Sequence, residues 1–143
     1  MSLTPEQMDR ALDAHFRCEA TDDVDGVLST LTDAVEHDVV GWPPGPSLGR
    51  EAARAFYQQT FLDLADSQVQ RLRRWHGANF VVDESLWSGR AVGRPFGLEG
   101  RGRPLQFRML HVVDFAADGR IARENVWMDF PAILAQLPQD AAT

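Results

Sequence analysis

The sequence predicts an α+β fold in which a curved antiparallel sheet packs on three N-terminal helices. Apolar residues recur every three or four positions in three segments of the first half, and they alternate singly in most of the second half. Helices that are segregated from strands along the chain are typical of an α+β domain rather than a parallel α/β one. We expect a single domain over residues 1–143, shaped as a cone with its mouth at the strand ends.

The first helix has a complete start signal. Thr4 can act as the N-cap, Pro5 suits the first helical position, and Gln7 completes a capping box. Apolar side chains then recur at helical spacing as far as about Ala20. The sequence therefore predicts a helix over residues 5–20.

Two further helices and one strand complete the first half of the chain. Apolar stripes predict a short helix over residues 23–31 and a longer one over residues 50–64. Between them, residues 34–42 are predicted to form a strand, which stops at a turn built from three prolines and a glycine.

The second half is predicted to be a meander of strands followed by a short helix near residues 130–137. The predicted strands span residues 69–75, 79–91, 105–115 and 120–129. Asp118-Gly119 is a hairpin signal between the last two. The third strand has the cleanest alternation, and its odd positions are Leu105, Phe107, Met109, His111, Val113 and Phe115.

Composition and charge exclude several classes of function. The net charge of −7 disfavours nucleic acid or an anionic membrane as a partner, and no apolar run approaches a membrane span. The single cysteine, Cys18, excludes an internal disulfide and suits a reducing cytoplasm. All 14 basic residues are arginine, which excludes a Schiff-base lysine. The four histidines show no ligand spacing on one element, so we expect neither a metal nor a cofactor.

Three segments of the chain resemble the NTF2-like superfamily, especially its SnoaL-like polyketide cyclases and its ketosteroid isomerases. "GREAARAFYQQTF" (49–61) is similar to the family's G-x-x-A-I-x-x-F helix. "LWSGRAVGRPFGLEGRGRPLQFRMLHVVDF" (86–115) and "DGRIARENVWMD" (118–129) are similar to the SnoaL-like strand pattern. The resemblance covers nearly the whole chain and implies a cone-shaped pocket, a small-molecule substrate and a homodimer formed through the sheet face.

His111 and Asp38 are the leading candidates for proton transfer. His111 shares the parity of five apolar residues, so it should point into the core or a cavity, where an imidazole needs a partner. The resemblance matches it to the histidine of SnoaL-like cyclases. Asp38, in "HDVVG", resembles the general-base aspartate of the isomerases, although a solvated carboxylate at a strand end is the alternative. Parity places Asp38 and His37 on opposite faces, and we expect Asp38 to be the one inside.

Two other carboxylates are candidates with plain structural alternatives. Asp129 matches the aspartate that closes the SnoaL-like pattern, where it would act as acid or base, but it also stands where a helix cap is expected. Glu84 lies among apolar residues of its own parity, so it could line the pocket; the alternative is a buried structural ion pair with an arginine such as Arg108 or Arg123.

Four more residues are predicted to contact a substrate. His15 falls near the position at which the isomerases carry an oxyanion-hole tyrosine, although simple packing would also explain it. Trp42, Phe56 and Trp127 are candidates for the pocket wall, while aromatic residues of this kind are also common in a plain core.

Three functions remain open at this point. The first is a cofactor-independent isomerase or cyclase that moves protons on a small carbonyl compound, with Asp38 or Asp129 as base and His111 polarising the oxygen. The second is epoxide hydrolysis of the limonene-epoxide-hydrolase type, in which Arg108 would act with Asp129 or Glu84. The third is a non-catalytic module that binds a small molecule or dimerises.

Overall fold

The sheet and helices form in the predicted order. The computed structural model describes residues 2–140. Its helices are α1 (Pro5–Ala20), α2 (Val24–Ser29), α3 (Arg50–Asp63) and α4 (Phe130–Gln136). Its strands are β1 (Leu31–Val39), β2 (Ser47–Leu48), β3 (Leu64–Gly77), β4 (Phe80–Ala91), β5 (Arg103–Phe115) and β6 (Ile121–Met128). A turn of 3₁₀ helix, Pro95–Gly97, lies between β4 and β5.

The helix starts follow from capping side chains. The Thr4 hydroxyl accepts from the Gln7 backbone N–H at 3.1 Å, and the Gln7 side chain accepts from the Thr4 N–H at 2.8 Å, which confirms the predicted capping box. The Asp23 carboxylate caps α2 by accepting from the Gly26 N–H at 2.9 Å. These bonds set where the helices begin and so fix which of their side chains face the sheet.

The sheet has the strand order β2-β1-β6-β5-β4-β3 within the described residues. β3 to β6 form the predicted antiparallel meander, but β1 pairs parallel with β6, so the sheet is mixed rather than wholly antiparallel. β1 can pair parallel with β6 because α3 and β2 to β5 separate the two strands along the chain. The α+β cone on N-terminal helices is confirmed.

The helices cover one face of the sheet, which we call the inner face, and leave the other, outer face bare. Leu12 of α1 and Tyr57 of α3 pack with Val35, Val113 and Phe115 in a buried core. The odd positions of β5 all point to this inner face and are buried from Leu105 to Phe115, as the alternation predicted. Towards α4 a second buried cluster continues the core along the same face.

An arginine at the edge of the core fastens α1 to the sheet. The Arg74 guanidinium of β3 is almost fully buried and binds Asp83 at 2.8 Å, Asp9 at 2.9 Å and Asp13 at 3.0 Å. Because three carboxylates bind one planar cation, the hydrogen-bond donors of Arg74 have partners within the cluster. The cluster connects α1 to β3 and β4.

Among the described residues, no helix is both long and apolar enough to cross a membrane.

Candidate functional site

Two adjoining cavities open on the inner face. The inner cavity has a volume of about 70 Å³ and the outer cavity one of about 510 Å³. They share the side chains of His37, Phe56, Thr60, Leu64 and Phe96. The inner cavity alone holds little more than water, whereas the outer one has the size of a small-molecule site. A ligand would therefore fill the outer cavity and reach the inner one with one end.

The inner cavity is apolar on its walls and ionisable at its floor. Its apolar lining comes from α3, β3, β4, β5 and β6, and includes Phe56, Phe61, Leu64, Val69, Trp87, Phe107, Met109, Val126 and Met128. Its ionisable lining residues are Glu19, His37, Tyr57, His111 and Glu124. We call these five residues, together with His15 behind them, the polar floor.

Glu124 is the centre of the polar floor. Its side chain is 1% exposed, and its Oε2 lies 2.9 Å from His15 Nε2 and 3.3 Å from the Tyr57 hydroxyl. Its other oxygen lies 3.7 Å from His111 Nε2. Burial would raise the pKa of this carboxyl, but the surrounding imidazoles, His15 above all, hold it well below its usual range. Glu124 is therefore a fixed negative charge and not a proton acceptor at neutral pH.

His15 has its tautomer set by a threonine. The Thr30 hydroxyl donates its only proton to the Val27 carbonyl at 2.6 Å, so at 2.7 Å from His15 Nδ1 it must accept. The ring consequently carries a proton on Nδ1 and turns Nε2 towards Glu124 and, at 3.0 Å, Glu19. Burial opposes a charge on this ring, yet the two carboxylates raise its pKa well above the ordinary value.

Tyr57 is a hydrogen-bond donor that stays protonated. Its hydroxyl lies 3.3 Å from Glu124 Oε2 and 3.4 Å from His15 Nε2. Burial first, and then the charges of Glu124 and Glu19, raise its pKa well above the usual value for a phenol. The group can therefore donate to Glu124 or to an oxygen in the cavity, but it does not ionise at neutral pH.

Two histidines face the inner cavity from β1 and β5, the two strands that flank β6. His37 of β1 is buried, lines both cavities, and has Phe56 and Tyr57 against its ring at centroid distances of 4.4 and 5.2 Å. Burial lowers its pKa, more than the nearby carboxylates raise it, so the ring is neutral at neutral pH. His111 of β5 is also buried, and its Nδ1 has no hydrogen-bond partner among the described residues.

Asp38 does not enter the pocket. The predicted alternation of β1 is present, but His37 is the residue that faces inward with Val35 and Val39, while Asp38 is half-buried on the outer face beside Asn125. The expectation that Asp38 lies inside and His37 outside is thus wrong. Periodicity separates the two faces of a strand without saying which one the helices cover.

Asp129 and Glu84 also lie away from the polar floor. Asp129 is exposed and caps α4, accepting from the Ala132 N–H at 3.2 Å, so the cap explains it and it does not meet His111. Glu84 lies on the outer face, 4.0 Å from Arg108, whose side chain is 70% exposed. Glu84 thus has an arginine partner, as one of its two interpretations predicted, but the pair is long and exposed and not the buried ion pair expected. An epoxide-hydrolase site built on Arg108 is contradicted, because that side chain faces away from both cavities.

The predicted substrate contacts divide in the same way. Phe56 lines both cavities, and Trp42 lines the outer cavity, where it stacks on Phe130 at 6.2 Å. His15 is buried behind the cavity wall and acts on it only through its partners. Trp127 is 42% exposed on the outer face, so its assignment to the pocket wall is wrong.

Sequence reasoning missed Glu124, Glu19 and Tyr57. Tyr57 lies in the apolar stripe of α3, a position that predicts core packing and not a polar contact. Glu19 lies one helical turn after His15, a spacing that puts both on one face and that could have been recognised. The inward direction of Glu124 could not be predicted, because a register shift between β5 and β6 breaks the alternation of β6 after Ile121.

Comparison with solved structures identifies the fold. The chain superposes on TsrD from Streptomyces laurentii with a TM-score of 0.82 at 18% identity, over 95% of this chain and 98% of that one. A candidate SnoaL-like polyketide cyclase from Jannaschia sp. CCS1 gives 0.84 at 16% identity, over 98% and 99%. An epoxide hydrolase from M. tuberculosis, described as LEH-like, gives 0.73 at 19% identity, over 92% and 90%. At these identities the likeness shows the fold alone, an NTF2-like cone.

The sequence assigns the family within that fold. The model of the SnoaL-like domain matches residues 12–124, and the chain belongs to this family. No curated protein sequence matches the chain. The predicted resemblance is therefore confirmed, while the activity within the family has to be argued from the residues of the polar floor.

Proposed function

We propose that this protein is a cofactor-independent enzyme that moves a proton next to the carbonyl group of a small, largely apolar compound. The observation that carries the proposal is the polar floor itself: a buried, charged Glu124 with three histidines and a tyrosine around it, at the end of an apolar cavity. Such a grouping is costly to bury, and its cavity-facing members are those that acid–base chemistry uses.

His37 is the general base in this proposal, in the role that sequence reasoning gave to Asp38. It faces both cavities, and its lowered pKa keeps it able to accept a proton at neutral pH. The charge of Glu124 opposes that lowering, so it stabilises the imidazolium that forms when the proton arrives.

Tyr57 and His111 are the groups that stabilise the developing enolate oxygen. The phenol stays protonated and faces the cavity. With its ring proton on Nε2, His111 can donate to that oxygen, because Glu124 lies 3.7 Å from Nε2, beyond hydrogen-bond length. Its Nδ1, which has no partner among the described residues, then carries a lone pair and is not a buried donor. A well-placed donor to such an oxygen is worth about 3 kcal/mol of barrier in a dry site.

The lining also limits the substrate. Among the described residues, the inner cavity is lined by two carboxylates and no arginine, which disfavours an anionic group at the polar floor. Aromatic and aliphatic walls favour a ring or chain with few polar atoms. The substrate class we propose is therefore a neutral cyclic ketone or enone whose oxygen reaches Tyr57 and His111.

The test is exchange of carbon-bound hydrogen in D₂O. A panel of unsaturated cyclic ketones is incubated with the enzyme, and deuterium uptake next to the carbonyl is followed by NMR. His37→Gln should slow the exchange by at least about 100-fold, since a positioned base contributes about 10²–10⁴-fold. Tyr57→Phe should slow it by about 100-fold through loss of one donor.

Asp38→Asn is the matched control. It changes a carboxylate on the same strand, one residue away, but on the outer face, so its exchange rate should equal that of the unchanged protein. Circular dichroism spectra must show that all three variants are folded. Equal exchange rates for His37→Gln and the unchanged protein, or a slow Asp38→Asn variant, would contradict the assignment of His37 as base.

A further inference from the structure

A set of ligand atoms converges at the back of the polar floor. His15 and Glu19 lie one turn apart on α1, and Glu124 faces them from β6. His15 Nε2 is 3.0 Å from a Glu19 oxygen and 2.9 Å from a Glu124 oxygen, and one donor atom from each of the three residues lies within 4.8 Å of the others. Helix and strand thus bring one imidazole nitrogen and two carboxylates to a common point.

The hydrogen-bond arrangement leaves that point without a complete set of donors. Since Thr30 makes His15 carry one proton on Nδ1, the ring has at most one more proton, on Nε2, for two carboxylates. That proton would have to be shared between Glu19 and Glu124. The Tyr57 hydroxyl has a single proton as well, and its contacts of 3.3 and 3.4 Å are long.

The charges at this point are also not balanced. Two carboxylates face one imidazole, so a single proton neutralises one of two negative charges. A divalent cation would neutralise both and would use the Nε2 lone pair as a ligand. Independently of these three residues, His111 is buried, and its Nδ1 has no hydrogen-bond partner in the described part of the chain. Its Nε2 faces the second oxygen of Glu124 at 3.7 Å, beyond hydrogen-bond length.

We infer that His15, Glu19 and Glu124 form a binding site for a divalent transition metal ion of the zinc type. Imidazole and carboxylate are ligands that zinc takes, and its ligands at 2.0–2.1 Å in a tetrahedron lie about 3.3 Å apart. The distances of 2.9 and 3.0 Å around His15 Nε2 approach that value. Because Glu19, Tyr57 and Glu124 all line the inner cavity, the fourth position of the ion would face the cavity and a bound oxygen there.

The spacing of the histidines does not predict this site, because two of its three ligands are carboxylates and one of them lies on another element. The site does not depend on the proposed function. An ion would take the place of the shared proton on His15, but the proton transfer proposed for His37 does not require it, because His37 is not one of the three ligands. Binding can also be measured without any substrate, so the two proposals can fail separately.

The experiment is a zinc titration of tag-free protein that has been stripped with a chelator. Isothermal titration calorimetry with Zn²⁺ should give one site per chain with a Kd below about 1 µM. Co²⁺ should give the strong visible bands of a tetrahedral site. Glu19→Gln and Glu124→Gln should each weaken binding by more than about 100-fold, because even residues behind the ligands contribute about 10–100-fold.

His76→Gln is the control for adventitious binding. His76 and Asp9 form another histidine–carboxylate contact, at 2.7 Å, but it lies at the surface, so its removal should leave the site unchanged. Glu19→Gln is the safer of the two site variants because Glu19 is partly exposed. Zinc binding weaker than about 1 µM overturns the inference. So does binding that survives both glutamine substitutions, or that His76→Gln removes.

Discussion

Replacing Glu124 by glutamine tests how much the buried charge contributes to the stability of the fold. The substitution preserves shape and removes the charge that faces His15 at 2.9 Å. Glu19, the remaining carboxylate near that ring, is partly exposed, so its compensation is weaker. His15 must then keep a poorly paired charge or give up its proton, and both cost free energy.

The expected loss is about 3 kcal/mol. Removing one partner of a buried ion pair costs about 3–5 kcal/mol, and the lower end applies because glutamine keeps hydrogen-bonding atoms near His15 and Tyr57. For a domain of this size that free energy corresponds to a fall in Tm of about 10 °C. The change is large because the pair connects α1 to β6, so its loss also weakens the packing of that helix on the sheet.

Urea unfolding followed by circular dichroism measures the loss, with a chelator present so that metal makes no contribution. Glu84→Gln is the matched control, since its carboxylate lies on the outer face beside a highly exposed arginine; it should change stability by less than about 0.5 kcal/mol. A loss below about 1 kcal/mol for Glu124→Gln, with an unchanged m-value, would refute the view that the charge holds the polar floor together.

Three further measurements follow from the same structure. The pKa of His15 is raised in the folded protein, so its charged form stabilises the fold. That stability is fully present below the ordinary pKa of 6.5 and is lost as pH rises through the folded-state pKa. The free energy of unfolding should therefore decline on the alkaline side, and Glu124→Gln should make that decline smaller. Asp129→Ala should lower the free energy of unfolding in urea by about 1 kcal/mol because α4 loses its cap, and the rate of deuterium exchange on the ketones should not change. A slower exchange rate would show that Asp129 acts in the reaction after all. Light scattering should find a homodimer formed through the outer face. Trp127→Arg should be monomeric, because Trp127 and its cross-strand partner Leu110 form an apolar patch on that face. A monomeric unchanged protein would contradict this prediction.

Local signals predicted most of the fold. The capping box of α1, the apolar stripes of the helices and the alternation of β5 depend on neighbouring residues, and these elements formed close to their predicted bounds. By contrast, β3 extends over residues 64–77 and not 69–75, β1 over 31–39 and not 34–42, and β2 was not predicted. The inward direction of His111 was predictable for the same reason, since β5 alternates without interruption from Leu105 to Phe115. The parallel pairing of β1 with β6 was not predictable, because it joins residues that are about 90 positions apart in the chain.

The composition of the site was harder to predict than its location. On β1 both faces carry apolar neighbours, so alternation paired His37 with Val35 and Val39 correctly but could not decide between inside and outside. On β6 the register shift after Ile121 reverses the parity, and Glu124 then faces the core. The direction of a side chain at such a shift depends on the partner strand, which a single sequence does not reveal.

The register of β1 against β6 has a consequence for how such pockets change their chemistry. His37 is the Cα partner of Glu124, and Asp38, the next residue, is the partner of Asn125. Exchanging the two side chains would bring a third carboxylate to the floor without altering the composition, the net charge or the length of the chain. In this scaffold the order of two adjacent residues therefore decides whether a histidine or an aspartate enters the pocket. Exchanging them would change the group that accepts the proton without changing the fold.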